Sequence, residues 1–93
     1  MINKIQCISF EINAFEQYSD WAIFHKDTFK KISRLINDIL RNPYEGLGKP
    51  EALKYQLSGL WSRRIDEKNR LIYKITEDEK LIIYSCKGHY DND

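Results

Sequence analysis

Ninety-three residues with a formal net charge of +1 make one small domain, too short for two cores with a cleft between them. Any large substrate must lie on its surface, and the overall charge by itself points to no nucleic-acid partner. No apolar run is long enough to span a membrane, no signal-peptide pattern is present, and Cys7 and Cys86 lack metal-ligand spacing, so the expectation is a cytoplasmic protein with both thiols buried and reduced.

Residues 4–10 alternate loosely through Ile5, Cys7, Ile8 and Phe10 and predict a short first strand. Ser9 is a candidate cap for a helix starting just after it. Ile12, Phe15, Tyr18, Trp21 and Ala22 recur at helical spacing and predict an amphipathic helix over 11–24. His25-Lys26 reads as a turn, with Asp27 as the next cap. Phe29, Ile32, Leu35, Ile36, Ile39 and Leu40 give a cleaner apolar stripe through Arg41, stopped by Asn42-Pro43. Residues 43–50 hold two prolines and two glycines and read as a loop.

Beyond that loop the period changes to two. Strands are predicted over 53–56, 61–66, 70–76 and 80–87, with turns at Glu67-Lys68-Asn69 and Glu77-Asp78-Glu79. Closely spaced strands favour an antiparallel meander, and two helical stripes need one of its faces for burial. The predicted fold class is α+β: two N-terminal helices packed on one face of a mainly antiparallel, twisted β-sheet, as a single domain over 1–93.

The charge is unevenly spread. From Lys49 to Lys74 there are seven Lys or Arg against three Asp or Glu, a local basic footprint on a nearly neutral chain. Alternation sorts these side chains. Ser62 and Arg64 point one way, and Trp61, Arg63 and Ile65 the other. Arg70, Ile72 and Lys74 share a face opposite to Leu71, Tyr73 and Ile75. The second set makes the better core, so Arg70 and Lys74, joined by Arg64, are expected on the face that the helices leave open.

A carboxylate, several cations and a histidine near the end of the chain are the parts needed to cut RNA without a metal. Glu51 could take a ribose 2′-hydroxyl proton, or stand in an exposed ion pair. Arg63, Arg64 and Arg70 could clamp a phosphate with their guanidinium forks, or pair across strands with Asp66 and Glu67. His89 could protonate a leaving oxygen, since an imidazole titrates near neutrality, or be a frayed terminal residue. Tyr90 could stack on a base or pack onto the sheet. His25 has no evident partner and reads as structural. Gly46-Leu47-Gly48 lacks the strand and helix that a phosphate-binding glycine loop requires, and Ser58 and Ser62 have no histidine nearby.

Taken together, these residues resemble the YoeB/Txe group of the RelE superfamily of bacterial toxins. The resemblance rests on Asn42-Pro43-Tyr44-Glu45-Gly46, Gly48-Lys49-Pro50-Glu51, Leu57-Ser58-Gly59, Trp61-Ser62-Arg63-Arg64-Ile65, Asn69-Arg70-Leu71-Ile72-Tyr73 and His89-Tyr90. It covers residues 42–90 closely and the N-terminal half in helix pattern.

The resemblance implies a RelE-like, microbial-ribonuclease-like fold and the toxin of a type II toxin–antitoxin pair, one that cuts messenger RNA in the ribosomal A site. Glu51 would be the general base, His89 the general acid and Arg70 the main stabiliser of phosphate charge. Lys49, Lys54 and Arg64 would assist in binding RNA, and Tyr90 would place the nucleotide. No cofactor is implied. The implied partners are a cognate antitoxin, the ribosome with its messenger and a second copy of the chain. Two other functions suit the same scaffold: a non-nucleolytic toxin that binds another target such as a topoisomerase, and a plain RNA-binding module. The family pattern ends at its His-Tyr pair, whereas Asp91-Asn92-Asp93 extends the chain here.

Overall fold

A computed structural model of the chain describes residues 5–89. In chain order the elements are β1 (Cys7–Phe10), α1 (Ile12–Phe24), α2 (Lys26–Arg41), β2 (Glu51–Ala52), a 3-10 turn (Tyr55–Leu57), β3 (Trp61–Arg64), β4 (Arg70–Ile75) and β5 (Lys80–Ser85). They form one five-stranded sheet in the order β1-β5-β4-β3-β2, with both helices packed on one face. Strands β2 to β5 run antiparallel as a meander, and β1 lies parallel to β5. The helical pair carries the chain from β1 at one edge to β2 at the other, and the meander then returns β5 to lie beside β1.

The core lies between the helices and that face. Ala14, Ile32, Leu35, Ile36 and Ile39 pack on Ile65, Leu71, Tyr73, Leu81 and Ile83, with Cys86 at the end of the layer. The stripe expected on α2 is the one buried, because its apolar residues recur at i, i+3, i+4 and i+7 and so form one ridge. The stripe expected on α1 is corrected at its start. Ile12 is 79% and Phe15 57% exposed, and Ala14 is the helix's one fully buried residue among those described. Tyr18 and Trp21 face inward as expected, joined by Ala14 and Gln17. Trp21 Nε1 donates to the Cys86 carbonyl at 2.9 Å, and the Gln17 amide oxygen accepts the Cys86 N–H at 2.7 Å. Polar groups that tie down the end of β5 thus orient α1.

Several boundaries differ from expectation for local reasons. Glu11, not Ser9, precedes the first helix, and His25, not Asp27, is the junction residue shared by α1 and α2. The strand expected over 53–56 is absent. Pairing stops at Ala52 because Tyr55 takes a positive φ of 58° and the chain coils into the 3-10 turn. Strand β3 ends at Arg64 because the Asp66 carboxylate accepts the amides of Lys68 and Asn69, closing a tight turn. Between Ile72 and Tyr73 the β4–β5 register slips. Ile72 faces Ser85 and Tyr73 faces Ile83, which leaves Tyr84 as the extra residue of a bulge.

Cys86 is buried, as expected, and burial pushes its thiol up to about 12. The expectation for Cys7 is corrected: it is exposed on the edge strand β1, where no element covers it. Among the described residues, no helix is long and apolar enough to cross a membrane.

Candidate active site

Strand register gathers the candidates. Glu51 stands opposite Ser62 on β2 and β3, and Arg64 stands opposite Arg70 on β3 and β4. Directly opposed residues share a face, and so do residues two apart on one strand. Glu51, Ser62, Arg64, Arg70, Ile72 and Lys74 therefore lie together on the face away from the helices. With about 4.8 Å between neighbouring strands, β2 and β4 are about 10 Å apart, a span that a glutamate and an arginine can bridge around one phosphodiester. The middle of this face is closed over, since Ser62 is 7% and Ile72 1% exposed. Glu51 and Arg64 are exposed, and Arg70 is half-buried.

His89 reaches the same end of the sheet through its neighbour. The Arg70 amide donates to the Gly88 carbonyl at 2.9 Å, and the Asn69 side-chain oxygen accepts the Gly88 amide, also at 2.9 Å. Gly88, with a φ of 90°, is held on both sides by consecutive residues of β4 and its approach. His89 leaves that clasp as an exposed residue. Asn69 is itself fixed by two contacts from its side-chain amide to Asp66 at 3.1 Å. Burial works against ionising Asp66. Its hydrogen bonds from Asn69 and the Lys68 amide outweigh that and hold its carboxyl below the usual range. The Arg70 guanidinium is oriented by Nη1, which donates to the carbonyls of Asp66 at 2.7 Å and Asn69 at 3.1 Å.

The loop before β2 aims Glu51, and a side chain on the other face holds that loop. The expectation that Arg63 meets phosphate is corrected: it is fully buried on the helix side. All five guanidinium N–H groups have acceptors. Nε donates to the Tyr73 hydroxyl at 3.2 Å. Nη1 donates to Asp38 at 2.6 Å and to the Leu47 carbonyl at 3.2 Å, and Nη2 donates to the carbonyls of Asn42 and Glu45. The Tyr73 hydroxyl donates in turn to the Pro43 carbonyl at 2.6 Å. The Leu47 amide donates to the Asp38 carboxylate and, with Arg63 beside it, holds that group below its usual range. Burial pushes the Tyr73 hydroxyl up.

Glycine is required twice in this loop. At Gly46, with a φ of 117°, an added Cβ would sit 2.2 Å from the Asp38 carboxylate. At Gly48, with a φ of 78°, it would sit 2.9 Å from the Arg64 carbonyl. Lys49 comes next with a φ of 53°, exposed, on a cleft that Arg64 also lines. Lys54 is exposed just ahead of the 3-10 turn. Tyr90 and the 91–93 tail lie outside the described residues.

Sequence reasoning missed Asp38 as the loop's anchor and the clasp that Asn69 forms on Gly88. For Arg63 the signal was present, since alternation put it with Trp61 and Ile65. Among the described residues, no three His, Cys, Asp or Glu side chains are grouped to hold a metal ion.

The chain is similar to known proteins in both sequence and fold. The chain is 49% identical over 83 residues to Toxin YoeB of Streptomyces coelicolor, an overlap covering 89% of this chain and 98% of the relative. The solved YoeB dimer from Staphylococcus aureus superposes with a TM-score of 0.85 at 43% identity, covering 94% of this chain and 100% of that one. The toxin chain of the YoeB–YefM complex from the same organism gives 0.84 at 42% identity, covering 94% and 99%. Residues 10–90 match the family model described as the YoeB-like toxin of bacterial type II toxin–antitoxin systems, and the chain belongs to that family.

Proposed function

We propose that this toxin is a ribosome-dependent, metal-independent endoribonuclease that cuts messenger RNA in the A site. Glu51 takes the proton from a ribose 2′-hydroxyl, and the resulting oxygen attacks the adjacent phosphorus. Arg70, with Arg64, Lys49 and Lys54 assisting, stabilises the charge that builds on the phosphoryl oxygens. His89 gives a proton to the departing 5′-oxygen as that P–O bond breaks. The upstream fragment ends in a 2′,3′-cyclic phosphate and the downstream one in a 5′-hydroxyl. Tyr90 stacks on a base next to the cut.

The observation that carries this reading is the register: Glu51 and Arg70 share one open face, and the Arg70 amide grips the residue before His89. The partners implied are the ribosome, a cognate antitoxin and a second copy of the chain, all in the cytoplasm. Relatives are known as a YoeB–YefM complex and as a YoeB dimer, which supports the last two.

The test is primer extension on ribosomes programmed with a defined messenger. The unaltered chain should produce A-site cuts, and Glu51→Ala and His89→Ala should each slow them by about 10²- to 10⁴-fold. Equal cutting by all three proteins would reject the assigned chemistry. Growth arrest without any cut would favour a non-nucleolytic toxin, and binding without any cut would favour a plain RNA-binding module.

A further inference from the structure

Beside Arg64 a cleft of about 310 Å³ opens between α2 and the loop that carries Lys49. Lys31, Arg34 and Leu35 line it from the helix, Leu47, Gly48 and Lys49 from the loop, and Arg64 from β3. Four of these seven residues are cations and none is an acid. Lys31, Arg34 and Leu35 sit at i, i+3 and i+4, so they share one helix face, and like charges at that spacing repel. Lys31 also acts electrostatically on Asp66, whose carboxylate already accepts the amides of Lys68 and Asn69.

The cleft is built rather than incidental. Gly48 lies so close to its walls that an added Cβ would stand 3.0 Å from Leu35 and 2.9 Å from the Arg64 carbonyl. The Arg64 amide donates to the Gly48 carbonyl at 2.6 Å, and Lys49 is held in the left-handed region. Concentrated positive charge in a concave site above a small apolar floor suits an anion with an organic backbone.

We infer that this cleft holds a second backbone phosphate of RNA, next to the one cut on the open face, with Lys31 and Arg34 as its distal contacts. Arg64 links the two places: it stands opposite Arg70 on the sheet and also lines the cleft. An RNA strand leaving Arg70 is handed by Arg64 to Lys49, and from there to α2. The inference rests on the reading of the open face as an RNA site and adds contacts from a helix outside the catalytic set. The phosphate belongs either to the messenger or to ribosomal RNA, and the chemistry is the same.

The experiment measures binding rather than cleavage, so its failure is distinct from failure of the catalytic reading. The full chain and Lys31→Ala/Arg34→Ala are titrated with a short 2′-O-methylated single-stranded RNA, which has no attacking hydroxyl, and separately with programmed ribosomes, across a range of salt. Both substituted residues are exposed, so the fold is expected to persist, and circular dichroism checks it. The double variant should weaken binding about tenfold or more and flatten the plot of log affinity against log salt by about 0.7, the slope carried by one phosphate contact on a single strand.

Lys30→Ala, an equal charge loss on the same helix but outside the cleft, should leave the slope alone. Flattening with the oligonucleotide assigns the phosphate to the messenger, and flattening with ribosomes alone assigns it to ribosomal RNA. Unchanged affinity and slope in both titrations would overturn the inference. So would an unchanged RNA slope with weakened binding of an acidic antitoxin, which would assign the cleft to a protein partner.

Discussion

Arg63 and Arg64 are adjacent on β3 and carry the same guanidinium, yet one is fully buried and the other exposed. On the helix side, Arg63 is ringed by the Asp38 carboxylate, the Tyr73 hydroxyl and the carbonyls of Asn42, Glu45 and Leu47. Its charge is spent inside the protein, pinning the loop that leads into Glu51. Arg64, by contrast, is exposed opposite Arg70 and also lines the cleft against α2, where the proposed phosphate would meet its charge. A buried ion of this kind persists only when every donor is satisfied. A surface cluster of like charges makes sense only if something negative arrives. The two faces of one sheet therefore divide the work: one builds the loop, and the other uses what the loop presents.

The sharpest way to break this contrast is Arg63→Ala. It leaves the Asp38 carboxylate with the more distant Arg41 at 3.8 Å and frees several loop carbonyls, so it should cost about 3–5 kcal/mol in chemical denaturation. Arg64→Ala should do the opposite, leaving stability within about 0.5 kcal/mol. It should lower ribosome-dependent cleavage by about one to two orders of magnitude, the worth of a lost charge-assisted hydrogen bond. If both variants lost stability equally, the division between faces would be wrong.

Gly48→Ala tests the seam between the faces. Strain at a φ of 78° together with contact on the Arg64 carbonyl should destabilise the chain by about 1–3 kcal/mol and displace Lys49. The result should be a lower melting temperature and weaker RNA binding together.

A smaller effect is pH-dependent. Asp38 is held below its ordinary value of 3.8, so its contribution is fully present above that pH and lost as pH falls through the folded value. Denaturation midpoints should drop below about pH 4 in the unaltered chain. In Asp38→Asn the plateau should be lower and the acid dependence weaker. The smallest perturbation is alkylation under native conditions. Cys7 should react while Cys86, with its thiol raised to about 12, stays protected until the chain unfolds.

Legibility in the sequence tracked the strength of the local signal. The α2 stripe was clear because its apolar residues keep one period and one face. The α1 stripe misled, because Ile12 and Phe15 keep helical spacing yet point outward, and the inward face includes the polar Gln17. Alternation sorted Arg63 from Arg64 and Arg70 correctly, and it grouped Ile72 with the open face without revealing that Ile72 is covered there. Glu51, Arg70 and His89 were nameable from residue chemistry and resemblance, whereas the clasp of Asn69 and Arg70 on Gly88 has no local signature. The parallel pairing of β1 with β5 joins residues more than seventy positions apart, and nothing near Cys7 announces it.

Residue order alone thus determined the number and kind of most elements, the sorting of side chains between the two faces of the sheet, and which residues were candidates for chemistry. These depend on short-range sterics and on periodicities of 3.6 and 2. Tertiary structure decided which arginine became a strut and which stayed available, where the loop before Glu51 was fastened, and that Lys31 and Arg34 from a distant helix share a cleft with Arg64. Those outcomes depend on buried hydrogen bonds and like-charge proximity between segments far apart in the chain. No local pattern encodes such contacts, because they come into being only when helix and sheet pack.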